Sequence, residues 1–309
     1  MNFRSSGLSS GLDDRFTPFE LPGLILDILE HVDFKVLKTL LPATNCGNGP
    51  AIESDFGFLS GHNLFFYVWS EKVAPIMDRE IKSILEIGGG FGEFARTLLT
   101  RFNNLESYTI VELPISAAQA AYYLHQTSDV SISVNGVTLR NSPKKASVKI
   151  ITPDRLLSAD QFDFVINTRS MMEMNHSAIK GYFDHISKYL PVGGYFLNIN
   201  RYYKDTSGDT IRICDFPYDK AWQVLSSEKS FRQPRIHFLL TKRLEENKIG
   251  DIQEVLKAIS LLPESNPKIH IENFKKGSNS RVVFDVVINQ FKWIPYDIRK
   301  KIARKLLSL

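Results

Sequence analysis

Between residues 83 and 94 the chain reads SILEIGGGFGEF, a short apolar run that enters a glycine-rich turn and then a helical stretch. That feature constrains the fold more than any other, because a buried strand feeding a helix through Gly88, Gly90 and Gly92 belongs to a crossover unit with a parallel partner strand. Glycines there also tolerate backbone conformations and close approaches that a side chain would block, so a ligand can lie against the turn. The texture repeats downstream. SYTIVEL, SVKIIT, FDFVIN and GGYFLNIN read as strands, with helical segments at Phe91–Phe102, Ile115–Gln126 and Ser177–Leu190 between some of them. Further on, RIHFLLTKR and RVVFDVVINQF read as strands and Asp251–Leu261 as a helix.

Upstream, Leu24, Ile25, Ile28, Leu29, Val32, Val36, Leu37 and Leu40 recur at helical spacing before Pro42, which predicts an amphipathic helix. A connector rich in turn formers leads into a second helical segment over Asn63–Glu80. The expected organisation is therefore an N-terminal helical cap over 1–80, an α/β domain over 81–243, and a C-terminal extension over 244–309.

The 309 residues can bury a full core, and no run of about 18 apolar residues is present to span a bilayer. Cys46 and Cys214 make neither a disulfide framework nor a zinc-type pairing, and the first sixteen residues lack the apolar segment of a secretory signal. A cytoplasmic protein is expected. Of the net charge of +4, the stretch from Lys292 to Leu309 supplies six Lys/Arg against Asp297, a local +5 that leaves −1 for the rest. Basic groups are thus not spread over a groove with interleaved aromatics, and no nucleic-acid partner is expected.

The glycine turn lacks the third glycine of a dinucleotide fingerprint, since position 93 is Glu93, a poor neighbour for a pyrophosphate at a helix N-terminus. Glu112 closes the second strand 24 residues after Gly88, where an acid can accept hydrogen bonds from two ribose hydroxyls. Taken as acidic-x-G-x-G-x-G, the residues Glu86, Gly88, Gly90 and Gly92 resemble motif I of class I S-adenosylmethionine-dependent methyltransferases. That resemblance implies a Rossmann-like mostly parallel sheet, S-adenosylmethionine as cofactor, Leu113 over the adenine or ribose, and Asp154 against the adenine amino group. Asp154 is equally readable as the N-cap of the short helix DRLLS. Asn167, at the end of the fourth strand, falls on the cofactor side.

The loop after that strand, TRSMMEMNHS, faces the transferable methyl group in this class, which makes Ser170, Glu173, Asn175 and His176 acceptor-side candidates, with His176 and Glu173 as the possible bases. The string SMMEM, followed by PVGGYFLNINRYYK, YDKAW and KSFRQPRIHFLLTKR, is similar to proteins grouped as sugar O-methyltransferases over about residues 55–243. This implies methyl transfer to a sugar hydroxyl. His62 sits where the N-terminal cap can close over the substrate, and Arg201, Tyr202 and Tyr203 follow the fifth strand at its carboxyl end, the ligand side of an open α/β sheet. His62 and the aromatics Phe65, Phe66, Tyr67 and Trp69 also read as ordinary helix-start and core residues. With Asn167 where a metal-dependent enzyme has an acid, no metal is expected. The alternative is a methyltransferase for another small metabolite; an NAD-dependent oxidoreductase shares the strand, turn and Glu112, and a non-catalytic cofactor-binding protein shares all of it. The basic amphipathic segment IPYDIRKKIARKLLSL is expected to dock on its own protein or rest on an anionic membrane.

Overall fold

The computed structural model describes residues 21–49, 51–78, 81–143, 146–156, 161–206 and 209–265. The chain forms two units, Met1–Leu256 and Lys257–Leu309, and the second is described only as far as Ser265. The expected strand RVVFDVVINQF and the basic C-terminal helix lie outside the described residues.

The chain opens with α1 (Leu21–Ile28) and α2 (Phe34–Leu40). The sequence predicts one helix here. It is broken because the Asp33 side chain accepts the Lys35 backbone N–H at 2.7 Å and starts a new helix. The hairpin of β1 (Ile52–Ser54) and β2 (Gly57–Leu59) leads into α3 (Gly61–Met77). Ser60 and Asn63 start α3 reciprocally: Ser60 Oγ accepts the Asn63 N–H at 3.3 Å while the Ser60 N–H donates to Asn63 Oδ1 at 3.0 Å.

From β3 (Ser83–Ile87) the chain alternates through α4 (Glu93–Arg101), β4 (Ser107–Val111) and α5 (Pro114–Thr127). A hairpin of β5 (Ser131–Val134) and β6 (Val137–Arg140) follows, turned by Asn135 and Gly136, both at positive φ. The dipeptide Asn-Gly favours this tight turn, since both residues tolerate the left-handed backbone it needs. Then come β7 (Ser147–Ile151), β8 (Phe164–Thr168), α6 (His176–Tyr189) and β9 (Tyr195–Arg201). A hairpin of β10 (Tyr203–Thr206) and β11 (Asp209–Arg212) precedes the long antiparallel pair β12 (Trp222–Lys229) and β13 (Ile236–Arg243), and α7 (Ile252–Ser260) is followed by a 3-10 turn, Pro263–Ser265, at the end of the described residues. No helix of the described residues is long and apolar enough to cross a membrane.

Nine strands form one sheet in the order β12-β13-β9-β8-β3-β4-β7-β5-β6. The inner six run parallel, while β13 is antiparallel to β9 and β6 antiparallel to β5. The fold is thus α/β with a Rossmann-like, mostly parallel sheet. The chain adds β4 on one side of β3 and later β8 on the other, so the order reverses between β3 and β8. In such sheets the crevice outside the carboxyl ends of the strands at that reversal is where ligands bind.

The N-terminal helices share the apolar core of the sheet domain: Leu24, Ile28, Leu37, Leu40, Phe65, Trp69 and Met77 are buried in one cluster with Ile84, Phe94 and Ile110. Phe66 stacks on Phe94 at 5.0 Å between centroids, and Trp69 Nε1 donates to Ser230 Oγ at 3.1 Å. A buried ion pair adds a polar clamp. Arg96 grips Glu93 through Nε and Nη2, each at 2.8 Å, and Nη2 also donates to the Leu40 carbonyl at 2.6 Å, tying α4 to the end of α2.

Candidate active site

A cavity of about 510 Å³ opens at the carboxyl ends of β3, β4, β7 and β8. Its floor is the glycine turn. Gly88, Gly90 and Gly92 have φ of 72°, 56° and 88°, the left-handed region that favours glycine. A Cβ on Gly88 would stand 2.1 Å from Ser170 Oγ, so the β3–α4 turn and the β8–α6 loop are in contact at this residue. At Gly90 a Cβ would meet nothing within 4 Å, which leaves that backbone open to the cavity.

Two carboxylates define the cofactor-side electrostatics. Glu112, immediately after β4, lines the cavity and accepts the Gly90 N–H at 2.8 Å on Oε2 and the Leu113 N–H at 2.8 Å on Oε1. Partial burial pushes its pKa up, and the two amides pull it down. Each oxygen keeps a further lone pair toward the cavity. Tyr182, on α6, has its phenol pushed up by burial and then by the charge of Glu112, which it senses across the same space.

Glu86, in contrast, is fully buried beneath the turn and does not line the cavity. Its Oε2 accepts the Tyr108 hydroxyl at 2.8 Å, while Oε1 has no hydrogen-bond partner. Burial raises its pKa to about 7, opposed by the Tyr108 hydrogen bond and helped by the Glu112 charge; the Thr168 hydroxyl exerts a weaker downward pull without reaching hydrogen-bonding geometry on Oε1.

The β8–α6 loop is built by strand alternation and one buried amide. Asn167 is fully buried: its Nδ2 donates to the Ile87 carbonyl at 2.8 Å and to Ser170 Oγ, and its Oδ1 accepts from Asn200 Nδ2 at 2.7 Å and the Met171 N–H at 3.3 Å. With its neighbours β3 and β9 so occupied, Asn167 braces the loop from below the cavity. Thr168, on the opposite face of β8, lines it. Arg169 has φ of 63°, and its N–H donates to the Ile199 carbonyl at 2.7 Å, so a left-handed residue carries a guanidinium into the lining. Ser170 and Glu173 line the cavity too, and Glu173 is ion-paired with Lys204 of β10.

Of the residues singled out from sequence, Gly88, Gly90, Glu112, Leu113, Ser170 and Glu173 come together around the cavity. Others do not. His176 is the first residue of α6 and exposed; Ala178 lines the cavity, and two residues of helix turn the side chain through about 200°, so His176 points away. Tyr202 is 1% exposed and its hydroxyl is hydrogen-bonded to His237 Nδ1 at 2.9 Å inside the sheet. Arg201 is half-buried at the end of β9 and outside the lining. Asp154 is exposed in the 3-10 turn Pro153–Arg155, whose N-cap position is held by Thr152 rather than Asp154; Pro153 is the residue of that turn that lines the cavity. Gly92 starts α4 beneath the lining, with Leu124 packed 3.1 Å from where its Cβ would be. His62 falls in the first turn of α3, and its side chain is outside the described set.

The structure adds residues that the sequence did not single out for this site: Ser116, Gln119, Thr168, Arg169, Met174 and Tyr182. Ser116 and Gln119 follow Glu112 at helical spacing in α5, a signal that existed. Phe66 and Trp69 are both core and cavity wall. Glu93 lines the cavity as well, but its charge is paired with Arg96, so the objection it raised to a phosphate is weaker than the sequence implied. Among the described residues no group of three or more His, Cys, Asp or Glu is arranged to hold a metal ion.

No protein-family model and no curated protein matches the chain. Solved structures with a similar course of chain include an S-adenosylmethionine-dependent methyltransferase from Mesorhizobium loti, at 12% identity over 56% of this chain and 97% of that one, with a TM-score of 0.36. The mitomycin 7-O-methyltransferase MmcR is 13% identical over 74% of this chain and 69% of its own, at a TM-score of 0.41. An O-methyltransferase family 2 protein from Planctomyces limnophilus is 13% identical over 59% and 61%, at 0.39. Similarity at this level assigns neither family nor activity.

Proposed function

We propose that the chain is an S-adenosylmethionine-dependent O-methyltransferase whose acceptor is a sugar hydroxyl. One observation carries the reading: the cavity at the sheet's switch point sets an open glycine backbone beside the carboxylate of Glu112, while the other two carboxylates of its lining, Glu93 and Glu173, are ion-paired with Arg96 and Lys204. An acid at the end of β4 can accept from two ribose hydroxyls, and a carboxylate beside that backbone suits a cofactor with a sulfonium and an ammonium. The Gly90 backbone, beside which a Cβ would meet nothing within 4 Å, leaves room for such a group.

When bound, S-adenosylmethionine supplies a methyl group activated on sulfur. The chain's own residues do the rest. Glu112 offers its spare lone pairs to vicinal ribose hydroxyls while Gly90 and Leu113 fix its rotamer. Leu113, 63% exposed at the rim, covers the nucleoside. Phe66 and Trp69 close one wall of the cavity with apolar surface and exclude water from it. Ser170 and Glu173 orient the acceptor hydroxyl, and Glu173 takes its proton as the oxygen bonds to carbon and the carbon–sulfur bond breaks. Holding that oxygen in line accounts for most of the acceleration. The sugar class rests on the similarity of residues 55–243.

Calorimetric titration with S-adenosylhomocysteine tests the reading. Binding is expected, and Glu112→Ala should weaken it about tenfold to a hundredfold, as loss of charged hydrogen bonds worth about 1.5–3 kcal/mol implies. Binding of NAD in place of S-adenosylhomocysteine would overturn it. Mass spectrometry of a sugar panel for a gain of one methyl then tests the acceptor class.

A further inference from the structure

The polar side chains of the cavity divide into those already committed and those without a partner. Glu93 is ion-paired with Arg96 and accepts the Tyr123 hydroxyl, Glu173 is ion-paired with Lys204, and Arg169 is engaged in an interaction of its own. Gln119 differs. It is 5% exposed and lines the cavity, yet among the described residues its carboxamide makes no hydrogen bond, and neither amide atom is sealed from the open space. Tyr123, one turn further along the same face of α5, meets Phe91 edge-on at 4.9 Å between centroids, so Gln119 stands where the cavity runs between α5 and the start of α4. Phe66, stacked on Phe94 of α4, adds apolar surface there from α3.

Resting on the sugar O-methyltransferase reading, we infer that the acceptor is an uncharged sugar and that Gln119 selects it, by hydrogen-bonding a hydroxyl of the ring. A buried amide with no partner destabilises the unliganded protein, and a ligand that pairs with it removes that penalty. The amide offers N–H donors on one side and a carbonyl acceptor on the other, and a hydroxyl, which both donates and accepts, satisfies either. A carboxylate or phosphate only accepts. It leaves the Gln119 carbonyl unpaired, and it is stripped of water in a cavity where Arg96 and Lys204 are already held by Glu93 and Glu173.

A second neutral group stands beside it. Ser116 lies three residues before Gln119 on the same face of α5 and lines the cavity, and its hydroxyl also makes no hydrogen bond among the described residues. Two hydroxyls of one sugar ring can engage the pair. A ligand-binding role also separates itself from a structural one by the sign of a stability change. An amide that holds the fold together destabilises the protein when it is removed. Replacing an unpaired buried amide by methionine, of nearly the same length, puts an apolar group in apolar surroundings and stabilises the unliganded protein.

The test is calorimetry of glucose, galactose and mannose, each beside its uronic acid and its 6-phosphate, with and without saturating S-adenosylhomocysteine. At least one neutral hexose should bind about tenfold more tightly than its own acid and phosphate. Gln119→Met should weaken that binding about tenfold, leave S-adenosylhomocysteine affinity unchanged and raise the urea midpoint of the unliganded protein. Gln119→Glu, which keeps the shape and loses the donors, should weaken hexose binding as well. An acid or phosphate that binds as tightly as its parent hexose, a hexose affinity that survives Gln119→Met, or a lowered urea midpoint in that variant would overturn the inference. Loss of S-adenosylhomocysteine affinity in Gln119→Met would overturn it too, by giving the amide to the cofactor. If the protein binds S-adenosylhomocysteine but no hexose, the inference falls with the sugar class and methyl transfer stands. Failure of S-adenosylhomocysteine to bind, with Gln119-dependent hexose binding intact, would instead strike only the methyltransferase reading.

Discussion

Replacing Gly88 by alanine should cost about 2–5 kcal/mol of stability, and the structure says how that divides. The residue sits at φ of 72°, where an L side chain pays about 1–2 kcal/mol. The new Cβ would also stand 2.1 Å from Ser170 Oγ and 2.2 Å from Ser170 Cβ. Ser170 cannot swing aside freely, because its hydroxyl donates to the Ile87 carbonyl at 2.9 Å and accepts from Asn167. Forcing the atoms apart belongs with overpacking, at about 1–3 kcal/mol. Gly90→Ala is the control: its φ of 56° carries the same backbone cost, but no atom lies within 4 Å, so about 1–2 kcal/mol is expected. Urea unfolding of Gly88→Ala, Ser170→Gly, the double variant and Gly90→Ala supplies a thermodynamic cycle. The double variant should recover the steric part and leave the backbone part. Equal losses for Gly88→Ala and Gly90→Ala, or no coupling between positions 88 and 170, would refute the proposed contact between the two loops.

The raised pKa of Glu86 gives a pH dependence with a definite sign. Its folded value of about 7 lies above the ordinary 4.5, so the folded chain binds the proton more tightly; the stabilisation is complete below about pH 4.5 and is lost as pH rises through 7, by at most about 3 kcal/mol. Glu86→Gln, followed by denaturation from pH 5 to 9, should flatten this slope, and an unchanged slope contradicts the assignment. Arg96→Met should cost about 3–5 kcal/mol by stranding Glu93, while Glu93→Leu combined with Arg96→Met should cost less than Arg96→Met alone. Methyl incorporation should survive prolonged chelation, and activity lost to chelator and restored by magnesium would show that a hard cation takes part.

How much of this was legible follows from the range of the interactions involved. The strand–glycine–helix unit, Glu112 and the candidate loop after β8 are local patterns, and they fall where their spacing puts them. The break between α1 and α2 is also local, set by the Asp33 cap, yet a continuous apolar periodicity across it hid the signal. β12 was hidden for another reason: QVLSSEK is polar because the strand lies at the sheet edge, exposed along much of its length, and pairing with β13 defines it rather than hydrophobic alternation.

The sequence alone determined the class of the sheet, the place of the glycine turn and the acid at the end of β4, because alternation period and glycine conformation act within a few residues. Only the tertiary structure decided which side chains share the cavity. It turned His176 away through the phase of α6, sank Asn167 and Tyr202 into the sheet, and brought Arg169, Glu173 and Lys204 together from a loop and a hairpin about thirty residues apart. Facing directions depend on helix phase and strand register against distant partners, and those are fixed by packing that no local pattern encodes.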